Sequence, residues 1–257
     1  MIDLSGRVAV VTGASSGLGA HFARLLSQHG AAVALAARRV DRTEALAAEI
    51  EAQGGKALAL QLDVADARAI APALDQVEAR LGPLNIMVNN AGVGGGGLAL
   101  ELSIEELDNI FDVNLRAVYV GAREAARRMI ASGAAAHDAA RIVNISSIAS
   151  QTVLPGLSAY CATKAAVSMM TKSLAREWAR QGVAVNALCP GFIETEITAD
   201  WLKTERGARQ VDRFPRQRLV EASDLDEAFL LLAGPGARAL TGSLITVDDG
   251  QSLPGGG

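Results

Sequence analysis

Aromatic side chains are scarce: two Trp, two Tyr and five Phe make up 4% of the chain. A core must therefore be packed from Ala, Val, Leu and Ile. Half of the 257 residues are hydrophobic, which excludes a disordered chain and suffices for one large domain. Cysteine is limited to Cys161 and Cys189, and no C-x-x-C pair occurs. Both read as small packing residues, no metal site is expected, and a reducing cytoplasm is the expected setting. No uninterrupted apolar run reaches membrane-spanning length, so no membrane partner is expected. The formal net charge of −4 gives no basic surface for a nucleic acid. Residues 1–13 read as a strand entering a glycine turn, not as a signal peptide.

What is present is an alternation of short apolar runs with helical patterns. Arg7-Val8-Ala9-Val10-Val11 is such a run, the mark of a strand buried on both faces. It enters Thr12-Gly13-Ala14-Ser15-Ser16-Gly17-Leu18-Gly19, and a helical pattern through Phe22, Leu25 and Leu26 ends near Gly30. A second apolar run covers 32–37. Glycines let backbone approach a diphosphate, and the helix N-terminus offers it free N–H groups, so this βαβ unit predicts dinucleotide binding. An NAD site of this kind places a carboxylate at the end of the second strand. Here Ala37 is followed by Arg38 and Arg39. Without that acid, a guanidinium can grip a ribose 2′-phosphate, and Arg38 is assigned this role with help from Ser15. NADP(H) is therefore favoured, with NAD(H) as the alternative.

Further strands are expected at 57–62, 84–88, 141–145, 183–188 and 244–247, with helices between them. Ser103-Ile104-Glu105-Glu106 is a capping box that opens a helical pattern to about Ser132, with Asn114 in its middle. Asparagine is disfavoured there, which points to function or to an exposed face. The run 94–97 reads as a flexible loop, either beside a ligand crevice or as a spacer only. The stretch 192–220 loses periodicity and reads as a mobile substrate segment anchored by Trp201 and Phe214. No repeat, linker or second domain is evident, so residues 1–257 are read as one domain.

The last pattern is chemical. Tyr160 and Lys164 fall four apart in a helical run over 158–181, hence on one face. A phenol ionises near pH ~10, and bringing it to neutrality takes roughly 4 kcal/mol. A fixed ammonium in a dry site can supply much of that, while Ser147 can hold the oxygen being protonated.

Taken together and in order, Thr12-Gly13-x-x-x-Gly17-x-Gly19, Asn89-Asn90-Ala91-Gly92, Asn114, Ser147, Tyr160/Lys164, and Pro190-Gly191 with Thr195 resemble the short-chain dehydrogenase/reductase family over essentially the whole chain. The resemblance implies an α/β Rossmann-type fold with a seven-stranded parallel sheet and helices on both faces. It also implies an NAD(P)-dependent enzyme acting on CH–OH groups. Tyr160 resembles the general acid/base, Lys164 the residue that lowers its pKa and holds the nicotinamide ribose, Ser147 the substrate-orienting serine, and Asn114 the holder of a relay water. Cofactor contacts carry over to Gly13, Ser15, Ser16, Gly17, Leu18 and Gly19, to Asp63 and Val64 at the adenine, and to Asn90, Ala91 and Gly92. They also carry over to Pro190, Gly191, Ile193 and Thr195. One departure is Asp249, where many relatives carry glycine; it is read as bearing on packing or assembly. The terminal 254–257 stretch is expected to fray.

The segments 173–177 and 190–196 resemble those of 3-oxoacyl-carrier-protein reductases, so an acyl carrier protein or a CoA thioester is a candidate partner, with Arg176 facing the acidic carrier. A sugar or small-alcohol dehydrogenase remains an alternative, as does a dinucleotide-binding sensor without turnover. Pairing of the two long helices in relatives implies a homotetramer.

Overall fold

The computed structural model describes residues 2–95, 97–196 and 198–253. Of the expectations above, Met1, Gly96 of the 94–97 loop and the 254–257 tail lie outside the described residues. Seven strands form one sheet: β1 (Val8–Thr12), β2 (Ala32–Ala37), β3 (Lys56–Gln61), β4 (Ile86–Asn89), β5 (Ala140–Ile145), β6 (Val183–Pro190) and β7 (Leu244–Val247). They are ordered β3-β2-β1-β4-β5-β6-β7. Every pairing is parallel, with Val11 opposite Leu35 on one side and Val88 on the other.

Parallel strands require crossovers, and helices supply them on both faces. On one face lie α1 (Gly17–Gln28), α2 (Val40–Ala52) and α9 (Asp226–Ala233); on the other lie α3 (Ile70–Leu81), α5 (Ala117–Ala131) and α6 (Ser158–Trp178). Shorter helices are α4 (Ile104–Phe111), α7 (Ala199–Leu202) and α8 (Glu205–Asp212). The period-2 alternation of a strand divides β1 between two cores: Val8 and Val10 pack beneath α3 and α5, whereas Ala9 and Val11 pack beneath α1 and α9. Large side chains are few, and Phe22 stacks on Phe229 with ring centroids 4.0 Å apart where α1 meets α9.

Two departures from the sequence reading matter for function. The helix expected through Asn114 is broken by a five-residue π turn, Asp112–Arg116, between α4 and α5. The described residues of 192–220, where the sequence shows no clean periodicity, hold α7 and α8, and Ile193 pairs with Val220 as a parallel bridge. Within it, Phe192 lies 5.7 Å from Trp201 and 5.3 Å from Phe214, centroid to centroid, so three of the scarce aromatics form one cluster.

Candidate active site

Strand order reverses direction between β1 and β4, and the loops leaving their carboxyl ends splay apart there to form a crevice. Thr12 ties the two loops together. Its hydroxyl oxygen accepts from the N–H groups of Asn90 and Ala91, both at 3.0 Å, and donates to the Val88 carbonyl. Asn90 returns a bond from its side-chain amide to the Thr12 carbonyl at 2.9 Å.

The turn after β1 has no room for side chains. A Cβ on Gly19 would lie 2.3 Å from the Gly13 carbonyl oxygen, and one on Gly13, whose φ is +70°, would lie 2.9 Å from the Ala91 Cα. Ser16 precedes α1 but makes no side-chain cap; its hydroxyl accepts from Arg39 at 2.8 Å instead. The first amides of α1 are thus left without a side-chain acceptor, as a diphosphate cradle requires. Asp63 is exposed at the end of β3, where its carboxylate accepts from the Ala65 N–H, and Val64 beside it is buried. Thr195 sits over the turn, its methyl 3.7 Å from where a Gly17 Cβ would be. Gly191 is closed in by Gln251 and Asp248, and Ile193 is buried by its bridge to Val220. These residues fit a dinucleotide lying along the carboxyl edge of the sheet.

Arg38 is exposed and makes no hydrogen bond among the described residues. The guanidinium that reaches the glycine turn is that of Arg39, which donates to Ser15 at 3.1 Å and Ser16 at 2.8 Å. Arg39 is the N-cap of α2, so its side chain is turned back toward the sheet edge.

At the other end of the crevice, β5 delivers Ser146 and Ser147, and α6 delivers Tyr160 and Lys164. Ser146 fastens the two elements: its buried hydroxyl bonds the Lys164 carbonyl at 3.1 Å and the Ser168 hydroxyl at 2.9 Å. Lys164 is buried, and its Nζ donates to the Ile145 carbonyl at 2.9 Å. Burial pulls its ammonium down to about 8. The Nζ lies 5.6 Å from the centre of the Tyr160 ring. Burial pushes the Tyr160 phenol up, and a hydrogen bond with Ser147 only partly offsets this. In this arrangement desolvation is the largest influence on the phenol, while the Lys164 ammonium is engaged by a carbonyl.

Asn114 is fully buried, with both ends of its amide engaged by one residue. Its Oδ1 accepts from the Val93 N–H at 2.8 Å and its Nδ2 donates to the Val93 carbonyl at 2.9 Å. The π turn is what aims it there, since an i→i+5 step shifts the side chain off the regular helical face. The site is brought together at Gly92, where a Cβ would lie 3.4 Å from Asn114 Oδ1 and 3.9 Å from Lys164 Nζ.

A family profile described as short chain dehydrogenase matches residues 7–206 of this chain. The chain belongs to the short chain dehydrogenase family. It is an NAD(P)-dependent short-chain oxidoreductase acting on CH–OH or keto groups. It is 34% identical to a gluconate 5-dehydrogenase of Gluconobacter oxydans, over 98% of this chain and 97% of the relative. To a 3-oxoacyl-acyl-carrier-protein reductase of Rickettsia bellii it is 33% identical, over 98% of this chain and all of the relative. Among solved structures, it superposes with a TM-score of 0.91 on a gluconate 5-dehydrogenase from Burkholderia cenocepacia in complex with NADP and tartrate, at 32% identity over 98% of this chain and 97% of that one.

Several residues of this short-chain dehydrogenase escape sequence reasoning. Arg39 is one: the sequence reading favours Arg38, because nothing in a charged pair at a strand end says which one turns toward the glycine turn. A buried polar chain, Asn89 to Asn144 at 2.9 Å and Asn144 to Thr171 at 2.9 Å, cross-links β4, β5 and α6 beneath the site. Asp249 adopts φ +55°, a left-handed conformation that favours glycine. Its carboxylate faces Arg216 at 2.8 Å and Arg218 at 2.7 Å, so it packs against the 192–220 segment. Among the described residues no helix is long and apolar enough to cross a membrane, and no His/Cys/Asp/Glu cluster could hold a metal.

Proposed function

We propose that this short-chain dehydrogenase is an NADP(H)-dependent reductase that interconverts a ketone and a secondary alcohol, with 3-oxoacyl thioesters as its substrate class. The observation that carries the reading is the convergence of Ser147, Tyr160 and Lys164 with Gly92 at the carboxyl edge of the sheet. The amides of residues 15–19 would hold the diphosphate where Gly13, its own N–H donated to the Ala36 carbonyl, leaves room for it, Asp63 and Val64 would hold the adenine, and Asn90, Ala91 and Gly92 the adjoining ribose side. Pro190, Gly191, Ile193 and Thr195 would hold the carboxamide side, and Lys164 the nicotinamide ribose. A nicotinamide in that place supplies or accepts the hydride.

The chain itself handles the proton. Because burial pushes Tyr160 up, its O–H is intact at neutral pH and ready to be given to a substrate oxygen. Ser147, near enough to that phenol to offset part of its rise, is placed to hold the same oxygen. Asn114 acts through backbone, fixing Val93 and thereby Gly92. In the oxidative direction the phenol must first lose its proton, so alcohol oxidation is expected to rise with pH.

Arg39 beside Ser15 and Ser16, with no acid at Ala37, supports NADP(H) over NAD(H); the NADP in the Burkholderia relative is consistent with this. The likeness to the Rickettsia reductase and the exposed Arg176 support an acyl thioester, free or on an acidic carrier protein. A sugar-acid substrate is the second reading, favoured by the likeness to two gluconate dehydrogenases. The two free thiols fit a cytoplasmic setting. Exposed Ile104, Phe111, Tyr119 and Met169 on the α4–α5 and α6 faces support a homotetramer, which light scattering at micromolar concentration tests; a monomer would contradict it.

The deciding experiment is a panel of 3-oxoacyl thioesters, 5-ketogluconate and simple ketones, read by consumption of NADPH and of NADH. The proposal expects the thioester to lead and NADPH to be favoured by ~10–10³-fold in kcat/KM, each tenfold being about 1.4 kcal/mol. A wild-type enzyme that favours NADH, or one that turns over only the sugar acid, would overturn it.

A further inference from the structure

The guanidinium of Arg39 has one more partner than a phosphate-reading residue needs. Its Nη2 donates to Glu196 Oε2 at 2.8 Å, and the other oxygen, Oε1, is taken by Arg42 Nη1 at 2.5 Å. Glu196 lies 157 positions from Arg39 in sequence and belongs to the 192–220 segment. Its neighbour Thr195 rests on the Gly17 turn, so the segment is pinned from the glycine turn to the end of β2 that carries Arg39. Hydrogen bonds from Arg39, Arg42 and Ser16 hold the Glu196 carboxyl down at about 2, so it is an anion throughout the working range of the enzyme.

We infer that Glu196 is a cofactor-specificity residue of this enzyme: its carboxylate occupies the face of Arg39 that a ribose 2′-phosphate would take, so phosphate and segment compete for one cation. The inference rests on the proposed reading of NADP(H) by Arg39, Ser15 and Ser16. Two anions cannot share one exposed guanidinium without repelling each other. Entry of a 2′-phosphate therefore displaces Glu196 from Arg39, leaving it only the contact with Arg42. A dinucleotide lacking that phosphate leaves both contacts in place. The segment that carries Phe192, Trp201 and Phe214 is thereby coupled to which cofactor is bound, and Glu196 lowers the preference for NADP(H) below what Arg39 alone would give.

The test uses the full chain with 2′,5′-ADP and 5′-AMP as probes, which differ only in the 2′-phosphate and lack the nicotinamide. Titration calorimetry of wild type and Glu196→Gln should show 2′,5′-ADP binding tightened by about three- to tenfold in the variant, on the scale of an exposed charge contact, with 5′-AMP unchanged. Hydrogen exchange supplies the second readout. In wild type, 2′,5′-ADP should speed exchange in peptides covering 192–204 and 5′-AMP should not; in Glu196→Gln the difference between the probes should vanish. Weaker 2′,5′-ADP binding in the variant would mean that Glu196 positions Arg39 for the phosphate, and an equal gain for both probes would mean a general charge effect; either overturns the competition. A wild-type enzyme with no preference for 2′,5′-ADP would instead overturn the cofactor reading on which the competition depends.

Discussion

Replacing Asn114 by Ala should cost this enzyme both stability and rate, and the size of the first can be worked out. Asn114 is fully buried and makes two hydrogen bonds, at 2.8 and 2.9 Å, to the backbone of Val93. Truncation removes both and leaves the Val93 N–H and carbonyl without their partner. A lost hydrogen bond is worth about 1 kcal/mol net, and an orphaned buried group adds about 1–3 kcal/mol. With Val93 able to recover some water, about 2–4 kcal/mol is expected. For a domain of this size that is a fall in Tm of roughly 5–15 °C. Urea denaturation followed by circular dichroism measures it directly. Asn114→Asp sharpens the test. It keeps an acceptor for the Val93 N–H but sets a carboxylate oxygen against the Val93 carbonyl, so this near-isosteric change should destabilise at least as much as Ala. Turnover should fall in both variants, because Gly92 sits against Asn114 and Lys164. A change below about 0.5 kcal/mol in either variant would refute the reasoning, since it would show that the π turn and the loop after β4 hold together without this residue.

Two further outcomes follow from charge. Lys164 titrates at about 8 in the folded protein against an ordinary 10.5. Between those values the native state binds fewer protons than the unfolded state, so stability should rise with pH through that window, by up to about 3 kcal/mol. As pH falls back through 8 the gain is lost. Lys164→Met should flatten that rise in pH-dependent denaturation curves, and a variant that keeps the wild-type slope would assign it to another group. At Asp249, the change to Asn keeps a residue that tolerates the left-handed backbone and deletes only the charge facing Arg216 and Arg218. Stability should move by less than about 1 kcal/mol, while KM for the carbonyl substrate rises and KM for the cofactor stays fixed. Equal changes in both KM values would place Asp249 outside the control of the substrate segment.

Legibility from sequence divides along the range of the interactions involved. The β1 run, the glycine turn and the Tyr160/Lys164 spacing are written within a few residues of each other, so period and composition reveal them. The sheet edges shift only slightly: β3 begins at Lys56 and β6 runs on to Pro190. Asn114 is conspicuous as a polar residue inside a helical pattern. The π turn that aims it is not, because its partner Val93 lies 21 residues away on another element. Arg38 and Arg39 are equivalent as letters. Only the start of α2 at Val40 decides that Arg39 turns toward Ser15 and Ser16. The surroundings of Tyr160 are likewise tertiary: the Lys164 that follows it by one turn is held by the Ile145 carbonyl, on another element. Within 192–220, Trp201 and Phe214 stand out in sequence as anchors, but their meeting with Phe192 becomes visible only in the folded chain.

The central claim is that Tyr160 gives the proton that completes reduction. Tyr160→Phe removes one hydroxyl and leaves the ring, the cradle for the cofactor and the fold intact. Turnover of the best carbonyl substrate by this variant, followed as NADPH consumption alongside a direct titration of NADPH binding, is the most direct measurement. The account predicts a rate lower by ~10²–10⁴ with NADPH affinity within about twofold of wild type. Wild-type turnover in the Phe variant would contradict it.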